Sequence, residues 1–394
     1  MITSIFLGDL EAGRFSLLKF YELRARRILQ ALTFIILCCI PAAWILLMPE
    51  ELIDFAKSVI SVATFSSNFF FMKRDYFSTS AELLPLLHTW SLAVEEQYYI
   101  LFPLFLMFAW RFERRRIVQL LVVLCVLSLA LAQWGAYNKP AEAFFLLLTR
   151  GWELAIGSFC AFYIAQTQES FGDRAKQILA ALGLLLILVA IFGFNEDTPT
   201  PSFYILLPTI GTAMVILFAT KTTWVNWTLG ARPMVAVGLV SYSAYLWHQP
   251  ILAFTRYSLL GEVSDLILVI LCVASLAMAW FSWRFVEKPF RNKQTFLQKD
   301  IFLLSLVGII CFGAIGLLLH ANKGFTDRIQ TDLDYNTIMA SPLRSSCQGK
   351  LNPCEYFGEK VEWATFGDSH LFELTYALAE HLRARNIGVQ QNTY

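Results

Sequence analysis

The motif Gly367-Asp368-Ser369-His370 sits between Val361–Phe366, which reads as a short buried strand, and a helical pattern over Leu371–Arg385. A strand, a glycine-containing turn and a helix in that order expose a serine near helix-terminal N–H donors. Ser369 is therefore the candidate nucleophile, with Gly367 and Asp368 forming the turn. Such a serine also needs a histidine base and usually a carboxylate. His370 is adjacent in sequence, which is poor geometry for a base, and His381 lies on the helix with no path back. A second short strand, Ile387–Asn392, follows.

Further candidates lie in or beside apolar runs. In Pro85–Tyr99, PLLHTWSLAVEEQYY, helical spacing puts His88, Ser91 or Leu92, Glu95 and Tyr99 on one face. Glu95 and Glu96 open an apolar run, where ionisable groups are costly and face a cavity or a partner. The alternative is an interfacial turn with both carboxylates solvated. In Ser241–Pro250, SYSAYLWHQP, Ser241, Tyr245 and His248 share a face beside Trp247. His248 could titrate, relay a proton or bond a polar substrate. It could equally be a structural histidine bonded to a neighbouring helix. Gly13–Arg27 alternates apolar Phe15, Leu18 and Tyr21 with basic residues. That pattern suits a helix on anionic lipid. Arg24 and Arg27, three apart, would also suit phosphate. In Trp283–Arg291 the helix is expected to stop at Pro289, and Glu287 beside Lys288 reads as a surface pair. Arg150 and Glu153 are spaced to pair within one helix.

These groups must be positioned by membrane helices. The chain has 394 residues, of which 57% are hydrophobic and only 15% charged, against ~25% charged in soluble proteins. Mean hydropathy is +0.56. This composition excludes intrinsic disorder and a fibrous repeat. A net charge of +1 offers no field for a polyanion, so no nucleic-acid partner is expected. The long apolar runs exclude a lipid-facing barrel. The expected fold is an all-α polytopic membrane protein followed by a partial α/β domain. Nine spans are expected: Ile28–Met48, Leu92–Trp110, Ile117–Trp134, Phe144–Ile164, Ile178–Phe194, Phe203–Thr220, Val235–Tyr257, Leu266–Trp283 and Ile301–His320. Leu52–Met72, interrupted by polar residues, is expected to be interfacial or re-entrant. The basic clusters, among them Arg24–Arg27 and Arg111–Arg116, then all fall on one side, which is cytoplasmic by the positive-inside rule. Everything after His320 is extracytoplasmic in this topology. Met1–Gly8 is too short for a signal peptide, and Ile2–Leu7 reads as the end of a membrane helix.

Six of the eight cysteines lie in apolar segments and read as small hydrophobes. Cys347 and Cys354, in the polar tail, suit a disulfide in an oxidising compartment. The alternatives are free thiols or a zinc site, the latter opposed by the lack of a second ligand pair; no metal is expected.

GRFSLLKFYELRARRIL, LLHTWSLAVEEQYYILFPLFL, SYSAYLWHQPIL and RFVEKPFR, in that order, resemble the acyltransferase-3 family of bacterial integral-membrane O-acyltransferases. The tail with its cysteine pair and FGDSH resembles the start of the SGNH-hydrolase-like, flavodoxin-like domain fused to many of them. The resemblance implies a bacterial inner-membrane protein using acyl-CoA, such as acetyl-CoA, from the cytoplasmic side, with no permanently bound cofactor. The acceptor it implies is a hydroxyl of an envelope glycan such as lipopolysaccharide O-antigen, the tail being periplasmic. It assigns Arg24 and Arg27 to the family's cytoplasmic Arg pair and Glu287 to its late acidic residue. It also assigns Ser369 to the SGNH nucleophile, with Gly367 and Asp368 in its first block. His88, Glu95, Glu96, Tyr245 and Trp247 become cavity candidates, and His248 a catalytic one. The implied organisation is residues 1–27 basic segment, 28–320 acyltransferase domain, 321–360 linker with the cysteine pair, and 361–394 the start of the SGNH-like domain. The family's opening helix, with its Arg and catalytic His, has no counterpart here, and the serine's later partners are also missing. Gln30 and Leu23 depart from the family's Arg motif. On this resemblance the chain is expected to bind acyl-CoA without completing transfer, neither His88 nor His248 replacing the missing base. The competing readings are a transporter or flippase, a tail-driven esterase and an inactive fragment. The oligomeric state is not legible in the sequence.

Overall fold

The computed structural model describes residue 8 and residues 14–73, 79–166, 171–195, 197–259, 263–328, 354–357, 360–367 and 371–393. The chain divides into two units, Met1–Gly324 and Phe325–Tyr394.

The first unit is helical. Helix α1, Leu17–Leu46, starts where the Ser16 hydroxyl accepts the Lys19 N–H at 3.3 Å. It runs unbroken through Arg27, so the end of the basic segment and the first expected span lie on one helix. Leu52–Met72 does not form a single helix. It is split into α2, Pro49–Ala63, and α3, Ser67–Met72, with Phe65 at φ 52° between them. Each falls short of the ~20 residues that a span needs.

The long helices α4 (Thr89–Ala109), α5 (Arg114–Asn138), α7 (Leu147–Gln166) and α8 (Asp173–Gly193) follow, with short α6 (Pro140–Phe145) leading into α7. Next come α9 (Leu206–Phe218), α10 (Trp224–Leu229), α11 (Arg232–Ser258) and α12 (Asp265–Ser282). A π-helical turn, Trp283–Glu287, carries α12 into α13 (Lys288–Arg291), and α14 is Gln298–Ala321. Pro289 therefore does not stop the helix. It lies in the first turn of α13, where a missing N–H costs nothing.

Among the described residues, seven helical segments are long and apolar enough to cross a membrane. Two of the nine expected spans fall outside that set. Phe203–Phe218 is shorter than a full span. Helix α11 is long enough at 27 residues, but its middle carries Ser241, Tyr242, Ser243, Tyr245, His248 and Gln249.

Helices α8 and α9 touch through two glycines. A Cβ on Gly183 would lie 2.7 Å from the Gly211 carbonyl oxygen, and one on Gly211 2.6 Å from that of Gly183. Small residues let membrane helices approach this closely. Gly183→Val is expected to destabilise the unit by about 1–3 kcal/mol through overpacking. Thermal unfolding in detergent measures this, and an unchanged midpoint would refute the close packing.

The second unit holds β1 (Cys354–Tyr356), β2 (Lys360–Gly367), α15 (Leu371–Arg383) and β3 (Ile387–Thr393). The strand order is β1-β3-β2, with β3 antiparallel to β1 and parallel to β2. The parallel pair requires a crossover, and α15 provides it. Tyr356, Ala379, Leu382 and Val389 form the core. Two expectations change. Strand β1 lies inside the expected linker. Val361–Phe366 is not buried: β2 is an edge strand, with Trp363 and Phe366 exposed. Cys354 is disulfide-bonded, and the six cysteines of the apolar segments are free. Cys347, Asp368 and Ser369 lie outside the described residues, whereas Gly367 ends β2.

Candidate functional site

Helix α4 carries two polar sets in its N-terminal half, one near its middle and one at its start, which meet partners from α1 and α11. Near the middle, Arg24 on α1 donates through Nη2 to Glu96 Oε1 at 2.7 Å, with both side chains buried. The guanidinium carbon also lies 3.5 Å from the centre of the Tyr99 ring. A cation on a ring face and a charge-assisted hydrogen bond hold this arginine in one pose. Arg24 is thus already engaged. Arg27, one turn on, is exposed and makes no hydrogen bond or ion pair among the described residues. Glu95 is exposed, with Arg24 and Arg27 as charged neighbours. Of the two carboxylates, Glu96 turns inward rather than Glu95.

Glu287 is buried, which corrects its reading as a surface pair with Lys288. Its Oε2 accepts the Ser243 hydroxyl at 3.1 Å and its Oε1 pairs with Arg291 at 3.1 Å. The π turn places it there, and such turns recur at functional sites. Tyr242 donates to the Ile28 carbonyl at 3.0 Å and lies among the charges of Glu96, Glu287 and Arg24.

Arg26 was read only as part of a basic cluster. It is almost fully buried and pairs with Glu22 at 2.8 Å. It also donates to the carbonyls of Phe290 at 3.1 Å and Phe296 at 2.7 Å. It fastens α1 to α13 and to the segment that leads from α13 into α14. Gln30 donates to Ser305 on α14 at 3.2 Å.

At the start of α4, His88 is buried, and neither ring nitrogen has a hydrogen-bond partner among the described residues. Its ring meets those of Tyr245 and His248 edge-on, at 5.0 and 5.4 Å between centres. The Tyr245 hydroxyl reaches the His88 carbonyl and the Ser91 hydroxyl, the latter at 2.9 Å. His248 Nδ1 lies 2.6 Å from the Tyr245 carbonyl. A carbonyl can only accept, so Nδ1 carries the proton and Nε2 is left with a free lone pair.

Two neighbours do not join this group. Ser241 bonds its own helix at Gly238. Trp247 is buried and donates to Ser282 at 2.6 Å, bracing α11 against α12 and lining an apolar groove rather than the histidine cluster. Arg150 and Glu153 do pair, at 3.2 Å, within α7.

Sequence reading overlooked Tyr242, Ser243 and Gln249. The first two lie three residues before Tyr245 and Leu246 on α11, and that spacing was the signal available.

A family model described as an acyltransferase domain (Acyl_transf_3) matches residues 1–284. O-acetyltransferase OatA of Staphylococcus aureus strain NCTC 8325 / PS 47 is 30% identical over 310 residues, covering 74% of this chain and 51% of that protein. OatA of S. aureus strain COL gives the same figures. A putative O-acetyltransferase of strain COL is 27% identical over 310 residues, with the same coverage of 74% and 51%. The chain thus spans about half the length of these relatives. No solved structure matches it.

Proposed function

The chain belongs to the acyltransferase-3 family of membrane O-acyltransferases, and we propose that it passes an acetyl group from acetyl-CoA to a hydroxyl of an envelope glycan. Lipopolysaccharide O-antigen is one such acceptor. The observation that carries this reading is the row of polar side chains along α4 and α11. It runs from Arg24, Glu96 and Glu287 to His88, Tyr245 and His248. His88 and Glu96 are eight residues apart, or about 12 Å at ~1.5 Å per residue. Polar groups at this density inside an apolar bundle are costly and mark a path for a substrate.

In this reading the Arg24 end faces the cytoplasm of a bacterial inner membrane and the tail lies outside it. Arg27, exposed and uncommitted, holds a phosphate of the donor. Arg24 serves the donor site by fixing α1 against α4. At the His88 end, His248 Nε2 accepts the proton of the acceptor hydroxyl. The acceptor oxygen forms the ester bond to the acyl carbon, the C–S bond breaks, and the released thiolate takes a proton. Ser369 would serve as a nucleophile of the second unit, a role that rests on the resemblance of the tail alone.

Binding of acetyl-CoA to residues 1–394 in lipid nanodiscs, by calorimetry, tests the donor half. Arg27→Ala is expected to weaken it roughly tenfold, the effect of one lost hydrogen bond to a charged group. Absence of donor binding in the unsubstituted chain would overturn the proposal and favour a transporter.

A further inference from the structure

A cavity of about 190 Å³ opens near His88 and contains none of the groups used above. Glu51, Asp54, Phe55 and Ser58 of α2 form one wall. Leu83–Leu86 and Tyr257, near the end of α11, form the opposite side, and Leu47 and Phe71 complete the lining. The Leu83–Leu86 segment and α11 also build the histidine cluster. Leu86 is two residues before His88, and the Leu84 carbonyl accepts from Gln249, the neighbour of His248, at 3.1 Å.

The chemistry of the lining is specific. Glu51 Oε2 is buried and has no hydrogen-bond partner among the described residues. Unpaired buried acceptors are rare in native structures, so this oxygen calls for a donor. Asp54 is braced by Lys57 at 3.4 Å, and Tyr257 lies within the field of both carboxylates. Phe55 is buried and gives an apolar floor. Among the described residues no cationic side chain lines the cavity, which disfavours a phosphate or sulfate. No group of three or more His, Cys, Asp or Glu among them could hold a metal ion. What fits is a neutral ring whose hydroxyls donate to carboxylates and whose C–H face lies on apolar side chains. The volume is below the ~300–1,000 Å³ of pockets for drug-sized ligands, so it takes one sugar ring rather than an oligosaccharide.

We propose that this cavity is the acceptor subsite, holding one neutral pyranose of the glycan through Glu51, Asp54 and Tyr257. The proposal rests on the acyl-transfer reading above. It explains why two carboxylates and a phenol surround a cavity beside the histidines.

Saturation-transfer NMR of methyl N-acetyl-β-glucosaminide and methyl α-mannopyranoside, with the full chain in nanodiscs, tests it. Saturation of sugar protons is expected with the unsubstituted chain. Glu51→Gln and Tyr257→Phe, which preserve shape, are each expected to weaken binding roughly tenfold. Acetyl-CoA binding and the unfolding temperature should stay unchanged. Equal saturation in the unsubstituted chain and both variants, or no saturation at all, would overturn the subsite. So would loss of sugar binding on adding a chelator, which would make the cavity a cation site. Sugar binding that falls in the variants while acetyl-CoA never binds would support the subsite and sink the acyl-transfer reading, so the two failures are separable.

Discussion

Glu96→Ala is expected to destabilise the membrane unit by about 3–5 kcal/mol, because it strands a buried charge. Arg24 is only 8% exposed, and Glu96 is its one hydrogen-bond partner among the described residues. Its Nε already lacks a partner. The Tyr99 ring face covers the guanidinium but cannot replace a carboxylate. Removing the cation together with the anion should be far milder, since apolar residues of similar volume commonly replace a buried pair without loss. Arg24→Met combined with Glu96→Leu is therefore expected to recover most of the stability. Unfolding in detergent, followed by tryptophan fluorescence, measures both variants. If the double variant is as unstable as the single one, the pair is doing more than neutralising itself. Acetyl-CoA binding is expected to return with stability, because Arg24 positions α1 and Arg27 meets the donor. A stable double variant that binds no acetyl-CoA would reassign Arg24 as a direct ligand.

The sequence is most legible where one helix decides the outcome. The intrahelical pair Arg150 and Glu153 was readable from a three-residue spacing, and α15 and β3 from their periodicity. It is least legible where a partner from elsewhere decides. Glu95 and Glu96 are chemically equal, and successive residues on a helix point ~100° apart. Only the position of Arg24, 72 residues earlier, selects Glu96. Glu287 looked solvated because Lys288 follows it, yet the π turn rotates it toward Ser243, 44 residues away. A π turn has no sequence signature comparable to a proline or a cap. Strand β2 reads as buried because it is apolar, but burial depends on what covers both of its faces, and no local pattern encodes that. His248 had a structural reading, and His88 was placed only on a face with Glu95 and Tyr99. Their meeting at 5.4 Å depends on the packing of α11 beside the start of α4, which no spacing within either motif reveals.

His248→Gln is expected to lower acetyl transfer by roughly 10²–10⁴-fold, the usual loss when a general base is removed. The argument starts from tautomers. Nδ1 is committed to the Tyr245 carbonyl, so in the neutral ring Nε2 is the acceptor nitrogen. Glutamine can keep a bond to that carbonyl through its amide, but it has no basic nitrogen. His88 is the less suitable base. Burial pushes its pKa down to about 3, with nearby His248 as the smaller cause, so it stays neutral and gains little from taking a proton. His88→Gln should therefore cost less than His248→Gln, and mainly through packing against Tyr245. Tyr245→Phe removes the hydroxyl that joins the His88 carbonyl to Ser91, and should fall between the two. The readout is ester-linked acetate on envelope glycan in cells that express residues 1–394 and lack related enzymes. Transfer that survives His248→Gln would reject His248 as the base. Donor binding with no transfer from the unsubstituted chain would also reject it. That second outcome would return to the expectation from sequence, in which neither His88 nor His248 serves as the base. The two rejections differ in one measurable respect: only in the first does a second variant, His88→Gln, have activity left to lose.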